Sequence, residues 1–475
     1  MQVSNDYANG RVNFAAKEAD SDNLRLPVNA LLARLVVNGT DDADFVATDI
    51  AVGIEGQILV AGYDSDTRAV SVKVYDRKGD LQPLLNINSG PALATGSETM
   101  PMPVISYGSL SGLGRGNGFV LAYGTDAASV DGTDSAGGID SFVASYYYNE
   151  PEGGDPEYAL IWEHLSGTSG DDIPRSVAFG SSGGYVIVGG ETSGTWPDRS
   201  RSGQVDTYLQ RIDTGPGEEN QEDLDGKLLW TRQIGSTLSD TAVAVSGESG
   251  TPILMGRGEG TITENIGGVD FFFYSSTDAD AEINPVQAGT EEDDTLTDGI
   301  YTDSRVWLVG NTLGNYQVEV IPAEEDGQPD TRQLDRKTDG RSAAGFLVSY
   351  STSGEFGQVI ALNDAGDQST ENFTSLIAFD GDLVAAGSSE GTFGDTQSAG
   401  SGERLALARA KTAEDEEEPL IWRSQSDVGS TRIVGLANNS DTEITALVRR
   451  ENGGTVEWLV QLFSGEGRPL NPIKE

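Results

Sequence analysis

Cysteine is absent from all 475 residues, which excludes disulfides, thiolate metal sites and cysteine nucleophiles. There is a single histidine, so a Ser-His-Asp triad or a histidine-rich metal centre would have to use His164. That residue lies beside Glu163 on LIWEHLSG, where alternating polarity predicts a rim position and no catalytic role. Basic residues are few: 30 Lys and Arg stand against 76 Asp and Glu, a net charge of -46. Such a surface disfavours DNA, RNA and anionic membranes, and nucleic acid is excluded as a partner. No apolar run approaches ~18 residues, so direct membrane insertion is not expected. The opening MQVSNDYANG has no basic stretch leading into an apolar core, so no export signal is expected within this segment. Aromatics make up only 7% and hydrophobic residues 37%, beside 61 glycines. That is thin for a helical enzyme and ample for many short strands.

What is present is a repeat. The stretch 160–194, LIWEHLSGTSGDDIPRSVAFGSSGGYVIVGGETSG, serves as its template. Each unit has an alternating piece ending at a Gly-x-x-x-Asp turn, a short apolar piece, a buried run ending in glycine, and a second alternating piece. The buried run recurs seven times, at 58–62, 119–124, 185–190, 253–256, 306–310, 383–387 and 444–448. Successive runs are spaced by about 54 to 77 residues, with the excess in polar insertions at 213–225, 323–341 and 412–419. Trp162, Trp230 and Trp422 occupy one equivalent position in the terminating pieces, which include LQPLLNI and EINPVQAG.

Four short strands per unit, Gly and Asp at the turns and no helical period predict an all-β fold: a seven-bladed β-propeller of four-stranded antiparallel blades. Residues 1–475 are read as one domain, with a strand at 11–16 and a polar connection in 1–30, and seven repeats in 31–475. The stretch 31–37 has the character of a terminating piece with no unit before it. It is expected to complete the last blade and close the ring, in preference to 469–473, whose Pro469 and Pro472 are poor members of a ladder. Runs such as Tyr185–Val188 lack alternation and need cover on both faces. Gly189 and Gly190 are expected to allow close backbone approach and positive φ. Asp171, Asp172, Asp240 and Asp294 are expected to accept turn amides, and Phe142, Tyr208 and Phe271 to pack between blades.

These motifs resemble the bacterial seven-bladed β-propeller repeat often called SBBP. The unit with Trp162, Gly167, Asp171, Val188, Gly190, Thr192, Gly194, Asp206 and Tyr208 fits best, and the one with Trp230, Gly235, Gly256, Gly267, Asp270 and Phe271 fits well. The first, fifth and seventh units lack the tryptophan or the aspartate before the aromatic position. The resemblance implies an exported or displayed binding or structural module, and it carries over no catalytic residue.

No catalytic constellation and no cofactor motif stands out. Calcium is the one metal worth a site, because hard cations want several oxygens on a short loop. Its candidate ligands are Asp131, Asp134 and Asp140 in DGTDSAGGID, and Asp278 and Asp280 in STDADAE. The leading expectation is a noncatalytic propeller at the cell surface or outside the cell, presenting loops to a protein or glycan partner in an adhesin or a surface appendage such as a flagellum or pilus. The alternatives are a carboxylate- or arginine-dependent lyase or glycosidase at the central channel, and a rigid spacer. A charge of -46 repels itself in the compact state. Salt at about 1 M shortens the screening length to about 3 Å, so the melting temperature measured by calorimetry should rise between 0.1 and 1 M NaCl.

Overall fold

In the computed structural model the described residues run from 44 to 467, together with strands at 2–6, 11–15, 35–36 and 469–470. Within that span the stretches 96–101, 111–115, 215–225, 264–266, 321–329, 334–343, 363–369, 394–402 and 414–418, and a few gaps of one or two residues, fall outside the description. Most of the three polar insertions and the connection that follows residue 15 therefore lie outside it.

Seven antiparallel sheets follow one another along the chain. The first strands of blades I to VII are Phe45–Val52, Val104–Ser109, Asp172–Phe179, Asp240–Ser246, Asp294–Thr302, Thr370–Phe379 and Thr431–Ser440. Each touches the first strands of the two neighbouring blades, and Thr431–Ser440 returns to Phe45–Val52, so these seven strands close a ring around a central lumen. The second strands, among them Tyr185–Thr192 and Arg305–Thr312, carry the glycine-terminated runs and are almost wholly buried. The third and outermost strands complete each blade, as Asp206–Asp213 and Leu228–Ile234 do in blade III. The only helical turn among the described residues is a 3-10 turn at Ile54–Gly56.

The sequence repeat is offset from the blade by one strand. LIWEHLSG lies in the outermost strand of blade II, Glu157–Ser166, while the rest of the template builds blade III. The offset forces the chain ends to share blade VII. Leu35 and Val36 pair with Val460 and Leu459 of its third strand, as expected. Pro469 and Leu470 also pair with that strand, at Phe463 and Leu462, so both termini occupy one edge. Arg11–Ala15 takes no part in closure and pairs with Gln2–Asp6 in a separate hairpin.

Glycine at the end of the second strand answers a steric need. Gly189 and Gly190 do not have positive φ, contrary to expectation. A Cβ on Gly190 would lie 2.4 Å from the Ile173 carbonyl oxygen and 2.4 Å from the Tyr208 ring, and one on Gly189 would lie 2.4 Å from Val245. Opposite this point the first strand carries a β-bulge in six blades, at Thr48, Arg175, Val243, Thr297, Thr374 and Val434. An extra residue there sharpens the local twist. The terminating pieces LQPLLNI and EINPVQAG form strands only at Ile87–Ser89 and Val286–Ala288. Pro83 and Pro285 shorten them, and in blade I the Asn86 side chain accepts from the Val74 amide at 2.8 Å in place of a ladder carbonyl.

The repeated tryptophan is a contact between blades. Gly226, at φ 73°, turns over the Trp162 ring, and Gly467, at φ 69°, turns over Trp422; Gly354, at φ 90°, sits on Val286, the counterpart in a unit without tryptophan. Phe142, Tyr208 and Phe271 are fully buried in cores shared by adjacent blades, as expected. Trp162→Ala empties this contact and should lower the unfolding free energy by about 3 kcal/mol in urea titration.

Candidate functional site

The face at which the chain passes from blade to blade is built on carboxylates. Asp172 and Asp294 open their strands and accept from the amides of Thr168 and Thr290, and Asp240 accepts from the Ser236 amide at 2.6 Å, as the turn chemistry predicts. Asp171 reaches back across the junction to the Ile139 amide at 3.0 Å, and Asp293 reaches Val269 in the same way. A second aspartate opens the third strand in blades II, III and IV: Asp206, in blade III, accepts from Ser202 and Gly203 at 2.9 and 3.0 Å. The two sets meet at Gly235, where a Cβ would lie 2.5 Å from Asp206 and 2.8 Å from Asp240, and again at Gly289 between Asp270 and Asp294. Buried carboxylates this close disfavour double ionisation. Burial is the larger cause, and it holds Asp172, Asp240 and Asp294 up at about 6.

A repeated glutamine that the sequence reading missed completes this scaffold. Gln233 accepts from the Trp196 amide and donates to Asp206 at 2.9 Å; Gln287 accepts from Ile262 and donates to Asp270 at 3.2 Å; Gln425 accepts from Phe393. Its signal was the Gln at one position of TRQIG, PVQAG and RSQSD.

The lumen is the other candidate. A first-strand side chain is flanked by blades on both sides, so its exposure comes from the lumen. Half-exposed there are the bulge residues Thr48, Arg175, Val243, Thr297, Thr374 and Val434, a ring of threonine and valine broken by one arginine. Arg175 pairs with Glu191 at 2.9 Å. Arg257 of blade IV donates to the Leu296 carbonyl of blade V at 2.8 Å, and burial pushes its guanidinium down.

The position after each bulge holds Asp49, Ser176 and Asp298 in blades I, III and V, and each clamps the next blade. Asp49 accepts from the amides of Ile50 and Ile105, both at 2.8 Å. Asp298 accepts from Gly299 at 2.8 Å and Leu376 at 2.7 Å, and Ser176 accepts from Val245 at 3.1 Å. Burial raises Asp49 to about 6 and Asp298 to about 7, against the lowering effect of those amides, and the charge of Asp49 adds a smaller rise at Asp298. None of these residues was singled out from sequence. Aligning the units on the second-strand glycine would have placed Asp49, Ser176 and Asp298 in register.

The candidate calcium ligands are scattered. Asp131 and Asp134 are exposed on a small hairpin, with Asp131 at φ 42°, whereas Asp140 is buried at the start of its strand and accepts from the Ala136 amide. Asp278 and Asp280 share an exposed turn in which the Asp278 carboxylate accepts from the amides of Asp280 and Ala281, while Asp280 lies 3.9 Å from Arg199. Among the described residues no group of three or more His, Cys, Asp and Glu side chains converges as a metal site would require. His164 is half-buried against Gly226, and that burial lowers it to about 4.

Five aspartates held up by burial make stability depend on pH. A carboxyl whose folded pKa exceeds its ordinary value of 3.8 contributes stability that is complete below that value and lost as pH rises through the folded pKa. The urea midpoint should therefore fall as pH rises from about 4 to about 7, between the ordinary carboxyl value and the folded values of about 6 to 7, and level off above that. Asp298→Asn, which stays neutral and keeps an amide acceptor, should flatten the upper part of that profile.

No protein family profile matches the chain, and no curated protein does. Among solved structures, the polysaccharide lyase Uly1 is similar over 88% of this chain and 90% of its own, at 12% identity and TM-score 0.46. A puromycin-hydrolysing peptidase of Mycobacterium tuberculosis is similar over 91% and 55%, at 11% identity and TM-score 0.49. A Trypanosoma rangeli sialidase is similar over 82% and 57%, at 9% identity and TM-score 0.35. Among the described residues no helix is long and apolar enough to cross a membrane. The chain is a seven-bladed β-propeller.

Proposed function

We propose that this propeller is a noncatalytic binding domain that works at the cell surface or outside the cell and presents its loops to a protein or glycan partner. The observation that carries the reading is the state of the lumen. Its bulge residues are threonine and valine with Arg175 already paired to Glu191, and Asp49 and Asp298 each accept two backbone amides. A general acid or nucleophile needs a free oxygen aimed at substrate. Here that oxygen is spent on holding adjacent blades.

The enzyme reading, a lyase or glycosidase at the channel, has one observation in its favour. Asp49 and Asp298 are raised to about 6 and 7, the range suited to proton transfer near neutrality. The two readings separate on turnover. Incubation with uronate-containing and neutral polysaccharides should release no reducing ends above blank, while pull-down from native cell envelope should retain a partner equally with wild type and Asp298→Asn. Turnover abolished by Asp49→Asn or Asp298→Asn, with the melting temperature preserved, would overturn the binding reading.

A further inference from the structure

Blades I and II meet on the opposite face, where hairpins join strands within a blade. The third and outermost strands of blade II, Asp140–Asn149 and Glu157–Ser166, each have ten residues, against eight and seven in blade III. The added length carries Tyr148 and Tyr158, and the run YYY at 146–148 has no counterpart in the other units. Phe119 stacks on Tyr146 at 4.8 Å and meets Tyr158 edge-on at 5.1 Å, and Tyr158 meets Tyr148 at 5.4 Å. An aromatic column thus runs out of the shared core and ends on half-exposed Tyr148.

A polar collar from blade I surrounds its tip. Tyr158 donates to Gln57 Oε1 at 2.7 Å, and the Tyr107 hydroxyl accepts from the Ile54 amide at 3.0 Å. Glu55 stands two residues before Gln57 and Glu150 two residues after Tyr148, and both are exposed. Glu55 is exposed and held in the left-handed region at φ 57° inside the 3-10 turn. Gly53 makes room for the arrangement, since a Cβ there would lie 3.1 Å from the Tyr107 ring and 3.2 Å from the Tyr158 hydroxyl.

We propose that this collar is a binding site for a neutral saccharide, with a pyranose seated on the Tyr148 ring and its hydroxyls donating to Glu55, Glu150 and Gln57. An aromatic body with a polar tip suits the mixed C–H and O–H surface of a sugar. Ionised carboxylates only accept, which complements a ligand rich in hydroxyl donors. No side chain of the collar is basic, and a net charge of -46 disfavours uronate, sialylated or sulfated sugars. Core packing accounts for Tyr146 and Tyr158. At Tyr148, which packs on the edge of the same core, it leaves part of the ring open to solvent beside the exposed Glu55.

The site gives the binding reading above a ligand class and rests on it. Saturation-transfer NMR on the full chain, with neutral tetrasaccharides of glucose, galactose, mannose and N-acetylglucosamine and with a galacturonate tetrasaccharide, provides the test. At least one neutral probe should receive transfer, and the galacturonate none. Tyr148→Ala should weaken that affinity tenfold or more, Tyr148→Phe less than threefold and Glu55→Gln severalfold, the last two with melting temperatures matching wild type and the first still folded at the temperature of measurement. Arg175→Ala, in the lumen, should change nothing. Unchanged affinity in Tyr148→Ala, or transfer to the galacturonate alone, would overturn the site while leaving the binding reading intact. Transfer to no probe, with a partner still retained from cell envelope, would do the same.

Discussion

Seven strands must run side by side around one axis without their backbones colliding, and most of the architecture follows from meeting that constraint. Each first strand has blades on both flanks and the lumen in front, so its own ladder can pair only outward. Direct links between first strands therefore come from side chains. Asp49, Ser176 and Asp298 supply them in alternate blades by accepting the amide of the next first strand. Thr48 and Thr374 add bonds to the carbonyls of Pro103 and Ile433. Carboxylates used this way are buried at an electrostatic cost, which appears as raised pKa values, and the amides offset only part of it.

The same constraint explains the glycines. Where the first strand bulges toward the lumen, the second strand is pressed against the opposing carbonyl and against the aromatic residue of the third strand. Gly62, Gly190, Gly256, Gly310 and Gly387 recur at that point because a methyl group there would lie within 3 Å of a backbone oxygen. Further out, where blades diverge, the gap is filled by large side chains. Trp162 and Trp422 fill it under the glycine turns of the next blade. Small residues near the axis and large ones at the rim are the sequence image of a wedge.

Function separates from construction along the same line. Aspartate, glutamine, glycine and tryptophan recur at several junctions, where they hold turns and close gaps. Arg175, Glu191, Glu55 and Tyr148 belong to single blades. Of these, Arg175 and Glu191 pair with each other, whereas Glu55 is exposed and Tyr148 keeps part of its ring open to solvent at the edge of the core. The two faces also differ in chemistry. The crossover face is a lattice of carboxylates bound to amides, and the hairpin face of blades I and II offers an aromatic surface rimmed by acceptors.

Much of the fold was legible in the chain. Periodicity identified the second and third strands of all seven blades, because a strand covered on both faces has no alternation and its neighbour has it. The closing strand at 35–36 was legible too, as a terminating piece with nothing before it. The lumen clamps were not. Asp49 and Asp298 are two of 76 acidic residues, and only the bulge turns them toward the next blade. Chain order alone did not place the candidate calcium ligands either: Asp131, Asp134 and Asp140 are neighbours in the chain, yet a strand start buries one and a hairpin exposes the other two. Local order along the chain determined which segments became strands and how many blades they made. Which side chains met across a junction was decided by tertiary structure alone, because contacts between residues about sixty apart depend on ring closure.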